Sequence, residues 1–392
     1  MNIIKDNLRQ LGLIIVLIAL TMLFQVLTGG TFLAPANIVN LILQNSFILV
    51  LAIGMTFVIV TGRIDLSVGS VAAVAGALAG RLLIDMNVPV LLAIVIVLAF
   101  GALIGAFQGF WIAYKNIPFF VVTLAGMLMF RGLTMIVLDG RMIGPFPTGF
   151  QMMAAGFLPS ATVLEGINLT TVIVCAGLAF VYAGLEIRSR QTSIRLGVTP
   201  MPMYLLAIKL FAVVGAITLF GYWFAVSNGI PNVLVVLFIL VLAYSFVANR
   251  TILGRHIYAT GSNPKTAELS GIKTRRIVFW VYVNMGLLAS LAGMIFAARI
   301  NVAMPRAGDG FELQAIAAAF IGGASPYGGV GKVGGAIVGA MVVGVLNNGM
   351  GILGVSVDMQ LVVTGLVLLA AVIFDIFTKS RKAKMETVVS KA

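Results

Sequence analysis

The sequence predicts an all-α polytopic membrane protein of about 12 transmembrane helices. Two observations carry that expectation. Of its 392 residues, 61% are hydrophobic and 9% charged, with a mean hydropathy of +1.13, whereas a soluble domain is about one-quarter charged. Apolar runs of about 20 residues recur along nearly the whole chain, each long enough to cross roughly 30 Å of hydrocarbon as a helix. One cysteine, Cys175, lies in such a run. A disulfide framework is therefore excluded and no cysteine metal site is indicated; the plain reading is a small buried apolar residue.

Taken in order, spans are predicted near residues 11–28, 38–60, 66–84, 89–113, 118–138, 168–186, 204–226, 231–248, 277–298, 311–325, 333–350 and 357–377. The opening MNIIKDNLRQLGLIIVLIALTMLFQVLTGG has the charge order of a signal peptide. Its apolar core is long and no clear small-residue cleavage site follows, so it reads as a retained first helix. The tenth span is short. AIAAAFIGGASPYGGVGKVGG is punctuated by glycines and fits a broken or re-entrant helix, which a membrane tolerates where protein or a cavity covers it.

Positively charged loops stay cytoplasmic, and an inside N-terminus places most of the basic residues there. Lys5, Arg9, Arg63, Lys115, Arg188, Arg190, Arg195, Lys209, Arg250, Arg255, Lys265, Lys273, Arg275, Arg276, Lys332 and the tail residues Lys379, Arg381, Lys382, Lys384 and Lys391 fall on that side. Arg81, Arg131, Arg141, Arg299 and Arg306 fall elsewhere. This predicts an even number of spans with both termini cytoplasmic. It also explains the net charge of +13 by basic loops facing an anionic inner leaflet, with no role for nucleic acid.

Several chemistries are excluded by what the spans lack. Ion-coupled carriers place a carboxylate or histidine near the midplane; here Asp65, Glu186, Asp309, Glu312, Asp358 and Asp375 sit at predicted span ends, and the single histidine, His256, lies in a loop. An autonomous ion-coupled carrier is thus the disfavoured alternative. Arg131, in MLMFRGLTMIV, is the one charge well inside a span. It reads either as a pathway residue or, more simply, as an arginine that snorkels or bonds to loop carbonyls. GGVGKVGG at 328–335 superficially resembles a phosphate cradle, but such a loop needs a glycine where Pro326 stands and a hydroxyl residue where Val333 stands. No metal-ligand cluster, nucleophile elbow or pair of acids for acid–base work is present, so no catalytic residue is assigned. Small-residue stripes such as GSVAAVAGALAG and GGAIVGAMVVG read as close helix packing.

Residues 249–276 stand out as a long, basic segment predicted to be cytoplasmic. Within it SNPKTAELSG supplies Ser262 or Asn263 as an N-cap, Pro264 at the first helical position and Gly271 as a stop, predicting one short helix from Pro264 to Ser270. Lys265 and Glu268 flank a small apolar edge of Ala267 and Leu269. A charge run is ordinarily a solvated loop; a capped helix in so economical a chain reads as a docking element.

The stretch GRHIYATGSNPKTAELSGIKTRRIVFWVYVNMGLLASLAGMIFAARI resembles the coupling region of permease subunits from bacterial ABC importers for monosaccharides, the ribose, xylose and galactose group. TGRIDLSVGSVAAVAG at 61–76, IPFFVVTLAGMLMFRGLTMIV and FELQAIAAAFIGGASPYGGVGKVGGAIVGAMVVGVLNNGM match the same family in order, so the resemblance covers most of the chain. Ribose-type members pass almost directly from the external loop near FPTGF to the helix before the coupling loop. This chain adds roughly 160–228, two spans with the basic loop EIRSRQTSIRLG, and in that is similar to the xylose-type or multiple-sugar permeases. The implied fold is a single type II ABC importer-like permease domain over 1–392, with ten core spans plus two inserted.

The resemblance implies a division of labour. A periplasmic binding protein delivers the sugar, two permease chains, a homodimer, form the path, and a separate ATP-binding subunit carrying ATP and Mg supplies the energy. This chain would bind no cofactor and would sit in the bacterial inner membrane. Pro264, Lys265, Glu268, Leu269, Ser270 and Gly271 would form the element that docks in a groove of the ATPase, with Glu268 as the docking charge. Arg255, Lys273, Arg275 and Arg276 would be rim contacts or topology signals. Asp65 and Ser67 begin a span, where they would cap the helix or form an inner gate. Thr123, Gln314, Asn347 and Asn348 are candidates for hydrogen bonds to sugar hydroxyls, and Phe119 and Phe120 for stacking on a pyranose face.

Overall fold

The computed structural model describes residues 2–160, 163–164, 166–198, 200, 202–370 and 373, with backbone alone for 2–11 and 163–164. The basic tail from Lys379 to Lys391 lies outside the described residues. Nine helices among them are long and apolar enough to cross a membrane. These are α2 (Pro35–Val60), α3 (Val68–Gly80, prolonged by a π turn over Arg81–Asp85), α4 (Val90–Ala113), α5 (Phe119–Leu138), α7 (Leu169–Arg195), α8 (Met203–Val226), α9 (Asn232–Arg250), α12 (Thr274–Ile300) and α14 (Val333–Ile352). Shorter apolar helices complete the set: the Gly12–Leu27 part of α1 (Asn2–Leu27), α13 (Phe311–Ile321) and α15 (Val357–Ala370). Nine and three match the twelve predicted spans. Outside them lie α6 (Thr148–Gln151), α10 (Ile252–Ser262), α11 (Pro264–Leu269) and a small hairpin of β1 (Val163–Leu164) and β2 (Ile167–Asn168).

The core is built around α2 and α12. α2 is buried nearly all round, and α12 packs on α2, α3 and above all α4. Lipid gives helices no hydrophobic reason to associate, so close backbone approach must supply the packing energy. Gly101, Gly105 and Gly109 form a strip along α4, and a methyl group on Gly105 would sit 2.2 Å from the Tyr282 carbonyl oxygen of α12.

Helix α7 runs on past its predicted end at 186. Asn168 caps its start by accepting the Thr171 N–H at 3.1 Å, and Gly197, at φ +68°, follows its end. EIRSRQTSIR is therefore the last turns of a helix rather than a loop, because strong helix formers continue without a breaker until Gly197. α7 and α8 pack mainly on each other as an outlying hairpin.

The short α13 agrees with the broken or re-entrant helix expected at the tenth span; the largest departure is the path of the chain before it, 301–310. α12 is 27 residues long, about 40 Å at helical rise, and its contacts act as a ruler for depth. Gly293 abuts Ala72 of α3, and Gly76 faces Ala297, so Gly69 lies level with the middle of α12. At Gly69 an added methyl would meet both the Gly308 carbonyl oxygen and the Glu312 carboxylate at 2.3 Å. The chain after α12 thus does not stay at the surface. Ala303 bridges to Ile143 at one end, after which the segment folds back to mid-depth, and α13 starts there. With eleven residues, about 16 Å, α13 covers only half a crossing. Asp309 and Glu312, expected at span ends, sit instead beside the middle of the bundle.

Candidate functional site

The end of the bundle that carries α10 and α11 is where most of the predicted coupling residues gather. The expectation of one capped helix is met by α11, with Asn263 rather than Ser262 as its cap: its Oδ1 accepts the Thr266 N–H at 3.1 Å. Pro264 occupies the first turn and Gly271 follows at φ +83°, the left-handed turn that ends a helix at little cost for glycine. The residues just before are also helical. α10 starts at the Thr251 cap, whose Oγ1 accepts the Gly254 N–H at 3.2 Å, so the segment is two helices rather than one helix in a loop.

These two helices are fastened to the bundle on one side and bare on the other. Tyr258 of α10 donates its hydroxyl to the Gly331 carbonyl at 2.7 Å, and Gly329 donates its N–H to the Val60 carbonyl at the end of α2 at 2.8 Å. Burial pushes the Tyr258 phenol above its usual range, so it remains a hydrogen-bond donor at every physiological pH. Gly261 lies against the same Val60 carbonyl. On α11 the apolar edge predicted as Ala267 and Leu269 is divided: Ala267 is 4% exposed, Leu269 90%. Glu268 accepts a hydrogen bond from the Thr274 hydroxyl at the start of α12, tying α11 to that helix. Beside it Glu268, Ile272, Lys273, Thr274 and Arg275 line a shallow hollow. Arg255, Lys265, Ser270, Lys273, Arg275 and Arg276 are exposed.

From Val60 the chain climbs without helix through TGRIDLS to the start of α3. Asp65 Oδ1 accepts both the N–H of Ser67 at 2.9 Å and its hydroxyl at 2.7 Å. The Gln108 amide of α4 donates to Ser67 Oγ at 2.8 Å, and Tyr282 of α12 donates to the Ile64 carbonyl at 3.4 Å. Asp65, Ser67, Gln108 and Tyr282 are all buried. The expected capping of α3 is not what these bonds do: Ser67 holds the N-cap position without a side-chain bond into the helix, and the turn before α3 is instead knotted to α4 and α12. Gly126 of α5 approaches so closely that a methyl there would meet Gln108 Nε2 at 2.5 Å.

The pathway candidates divide into two groups that the fold does not bring together. On α5, Thr123 is buried one turn from Gly126 and donates its hydroxyl to the Phe119 carbonyl. Phe119 packs partly on the core, edge-on to an exposed Phe120. On α14, Asn348 exchanges hydrogen bonds with Asn37 at 3.0 and 3.2 Å and donates to Gln44 at 3.2 Å. Its amide is thus fully engaged with α2. Asn347 accepts from Thr364 of α15 at 3.4 Å. Gln314, in α13, keeps a buried Oε1 with no hydrogen-bond partner, as does Glu312 Oε2.

Arg131 resolves in favour of the simpler of its two readings, with an addition. It donates to the carbonyls of Ala307 at 2.5 Å and Pro305 at 3.4 Å and pairs with Asp309 at 2.6 Å. One side chain of α5 thereby holds the whole folded-back segment before α13. Neither this pair nor Gln108 was assigned a role from sequence. Gln108 is the only amide in the apolar run VLLAIVIVLAFGALIGAFQGFWIA, and a lone polar group at such depth needs a partner on another helix.

Comparison with known proteins places this architecture. Residues 37–372 match the family described as branched-chain amino acid transport system / permease component. The Xylose transport system permease protein XylH of Escherichia coli (strain K12) is 37% identical over 381 residues, covering 96% of this chain and 93% of that protein. The chain belongs to this permease family. XylH of Haemophilus influenzae is 36% identical over 377 residues, 96% of this permease and 98% of its relative. The Ribose import permease protein RbsC of Escherichia coli (strain K12) is 35% identical over 363 residues, 92% of each chain. No solved structure matches the permease. Its fold is that of a polytopic, all-α membrane permease, as the sequence predicted.

Proposed function

We propose that this permease is the membrane-spanning subunit of an ATP-driven monosaccharide importer in the bacterial inner membrane, taking xylose or a related pentose or hexose. The observation that carries the reading is likeness to xylose permeases over 96% of the chain, beside which the amino acids named in the family description are the weaker guide to substrate. α11 is the element that meets a separate ATPase, which alone binds ATP and Mg and hydrolyses the nucleotide. Its exposed Leu269 and basic rim support that role, as does its tie to α12 through Glu268 and Thr274. Residues 249–276 are then cytoplasmic, both termini lie on that side, and a periplasmic binding protein delivers sugar to a homodimer of this chain.

Mechanically, a push on α11 passes to α12 through Glu268 and Thr274, and α10 passes it through Tyr258 and Gly261 to α2 and the 322–332 turn. Both routes converge on the Asp65–Ser67–Gln108 knot at the foot of α3. Packed elements with such fixed joints move as bodies, so closure of the ATPase would tilt α3 and α13 where they meet at Gly69. That junction, with Gln314 close by and Phe119 and Phe120 on the inner side, is the proposed path. The α7–α8 hairpin within 160–228 is a peripheral insert.

One observation favours a second reading. Arg131, Asp309 and Glu312 lie at mid-depth, where an ion-coupled carrier keeps its charges. Substrate choice is tested by uptake into vesicles holding this permease with an ATPase and, in turn, a xylose-binding or a ribose-binding protein. ATP-dependent accumulation of xylose is expected to exceed that of ribose; leucine uptake with neither sugar accumulated would overturn the sugar assignment.

A further inference from the structure

Helix α7 keeps one long face that no other described helix covers, and an open groove of about 600 Å³ runs along it. Phe180, Ile187, Arg188, Gln191, Thr192 and Arg195 line it, and their spacing puts them on a single helical face. The face changes character along its length. Counting from Leu169 at 1.5 Å per residue, Phe180 lies about 16 Å along, Ile187 about 27 Å, Arg188 about 28 Å and Arg195 about 39 Å. A hydrocarbon core of roughly 30 Å, extending to about 40–45 Å with both headgroup layers, puts Phe180 and Ile187 among acyl chains. Arg188 and Arg195 bracket the headgroups at the end shared with α10 and α11.

The charge on this face is uncompensated. Among the described residues no ion pair involves Arg188 or Arg195, and the neighbouring acid, Glu186, is paired with Lys209 of α8. Two guanidinium groups two turns apart, with an amide at Gln191 between them, match the oxygens of a phosphodiester, which arginine binds in a forked geometry. Phe180 is 81% exposed and continues the groove directly into the apolar layer. A free anion would have no use for that apolar half.

We propose that this face of α7 binds one anionic phospholipid, its phosphate held between Arg188 and Arg195 and an acyl chain laid along Ile187 and Phe180. The lipid would occupy a hairpin that otherwise packs little on the rest of the chain.

The test uses the full chain in nanodiscs of phosphatidylcholine containing a minor fraction of phosphatidylglycerol, with retained lipid measured by mass spectrometry after transfer to detergent. The wild-type chain is expected to retain phosphatidylglycerol preferentially, and Arg188→Gln/Arg195→Gln to lower that enrichment roughly tenfold or more, as befits two basic residues at an anionic surface. The charge-matched control Lys115→Gln/Arg250→Gln is expected to keep it, and millimolar inorganic phosphate to leave it unchanged. Equal loss in both variants, no enrichment in the wild type, or displacement by inorganic phosphate would overturn the assignment. So would unchanged lipid retention accompanied by weaker binding of the ATPase, which would mark the face as a protein contact.

Discussion

Replacing Leu269 by Asp is expected to lower sugar-stimulated ATP hydrolysis and ATP-dependent uptake at least tenfold while the chain still inserts and folds. Leu269 is 90% exposed at the tip of α11, so the unpartnered chain loses almost nothing by the change. If that side chain is buried in the ATPase, the lost contact is about 1.5–3 kcal/mol, and at 1.4 kcal/mol per factor of ten docking weakens by roughly 10- to 100-fold. The carboxylate adds a desolvation cost. Glu268→Ala should act more weakly on docking itself, because that carboxylate already accepts the Thr274 hydroxyl within the chain. Unimpaired ATP hydrolysis and uptake in Leu269→Asp would remove α11 from the coupling route.

Arg131→Met is expected to abolish most transport by a different cause. The arginine satisfies the carbonyls of Pro305 and Ala307 and the carboxylate of Asp309. Its loss leaves the buried Ala307 carbonyl without that donor, at about 1–3 kcal/mol for a buried acceptor, and removes the ion pair of the more exposed Asp309. The segment before α13 should then come away from α5, seen as faster amide exchange across 304–310, with uptake down more than tenfold. In the double variant Arg131→Met/Asp309→Leu the charge is no longer orphaned, so folding should recover relative to the single variant even if transport does not. Slow exchange across 304–310 in Arg131→Met would show that the latch is not needed.

Much of this fold was legible because lipid imposes one rule on every span: about twenty apolar residues, closed by polar or basic ends. Hydropathy therefore located α2, α4, α5, α8, α9, α12 and α14 to within a few residues. The coupling helix was legible for a local reason, since Asn263, Pro264 and Gly271 act on their own neighbours. What stayed hidden was set by contacts distant in sequence. Nothing near Asp309 announces that the chain after α12 turns back to meet Gly69 and Arg131. Asn348 looked available for sugar because its partners, Asn37 and Gln44, lie some three hundred residues earlier. α10 was hidden because GRHIYATGS mixes helix formers with glycines, which here allow close approach rather than a turn: Gly254 to the end of α9, Gly261 to Val60 and Gly329.

The central claim is that this chain moves sugar only when an ATPase drives it. Its most direct measurement is xylose uptake into proteoliposomes holding the chain alone, under an imposed proton or sodium gradient, beside the same vesicles with the ATPase, binding protein and ATP. Accumulation only in the second arm is the predicted result. Gradient-driven accumulation by the chain alone would contradict it and would turn Arg131, Asp309 and Glu312 from a latch into a coupling site.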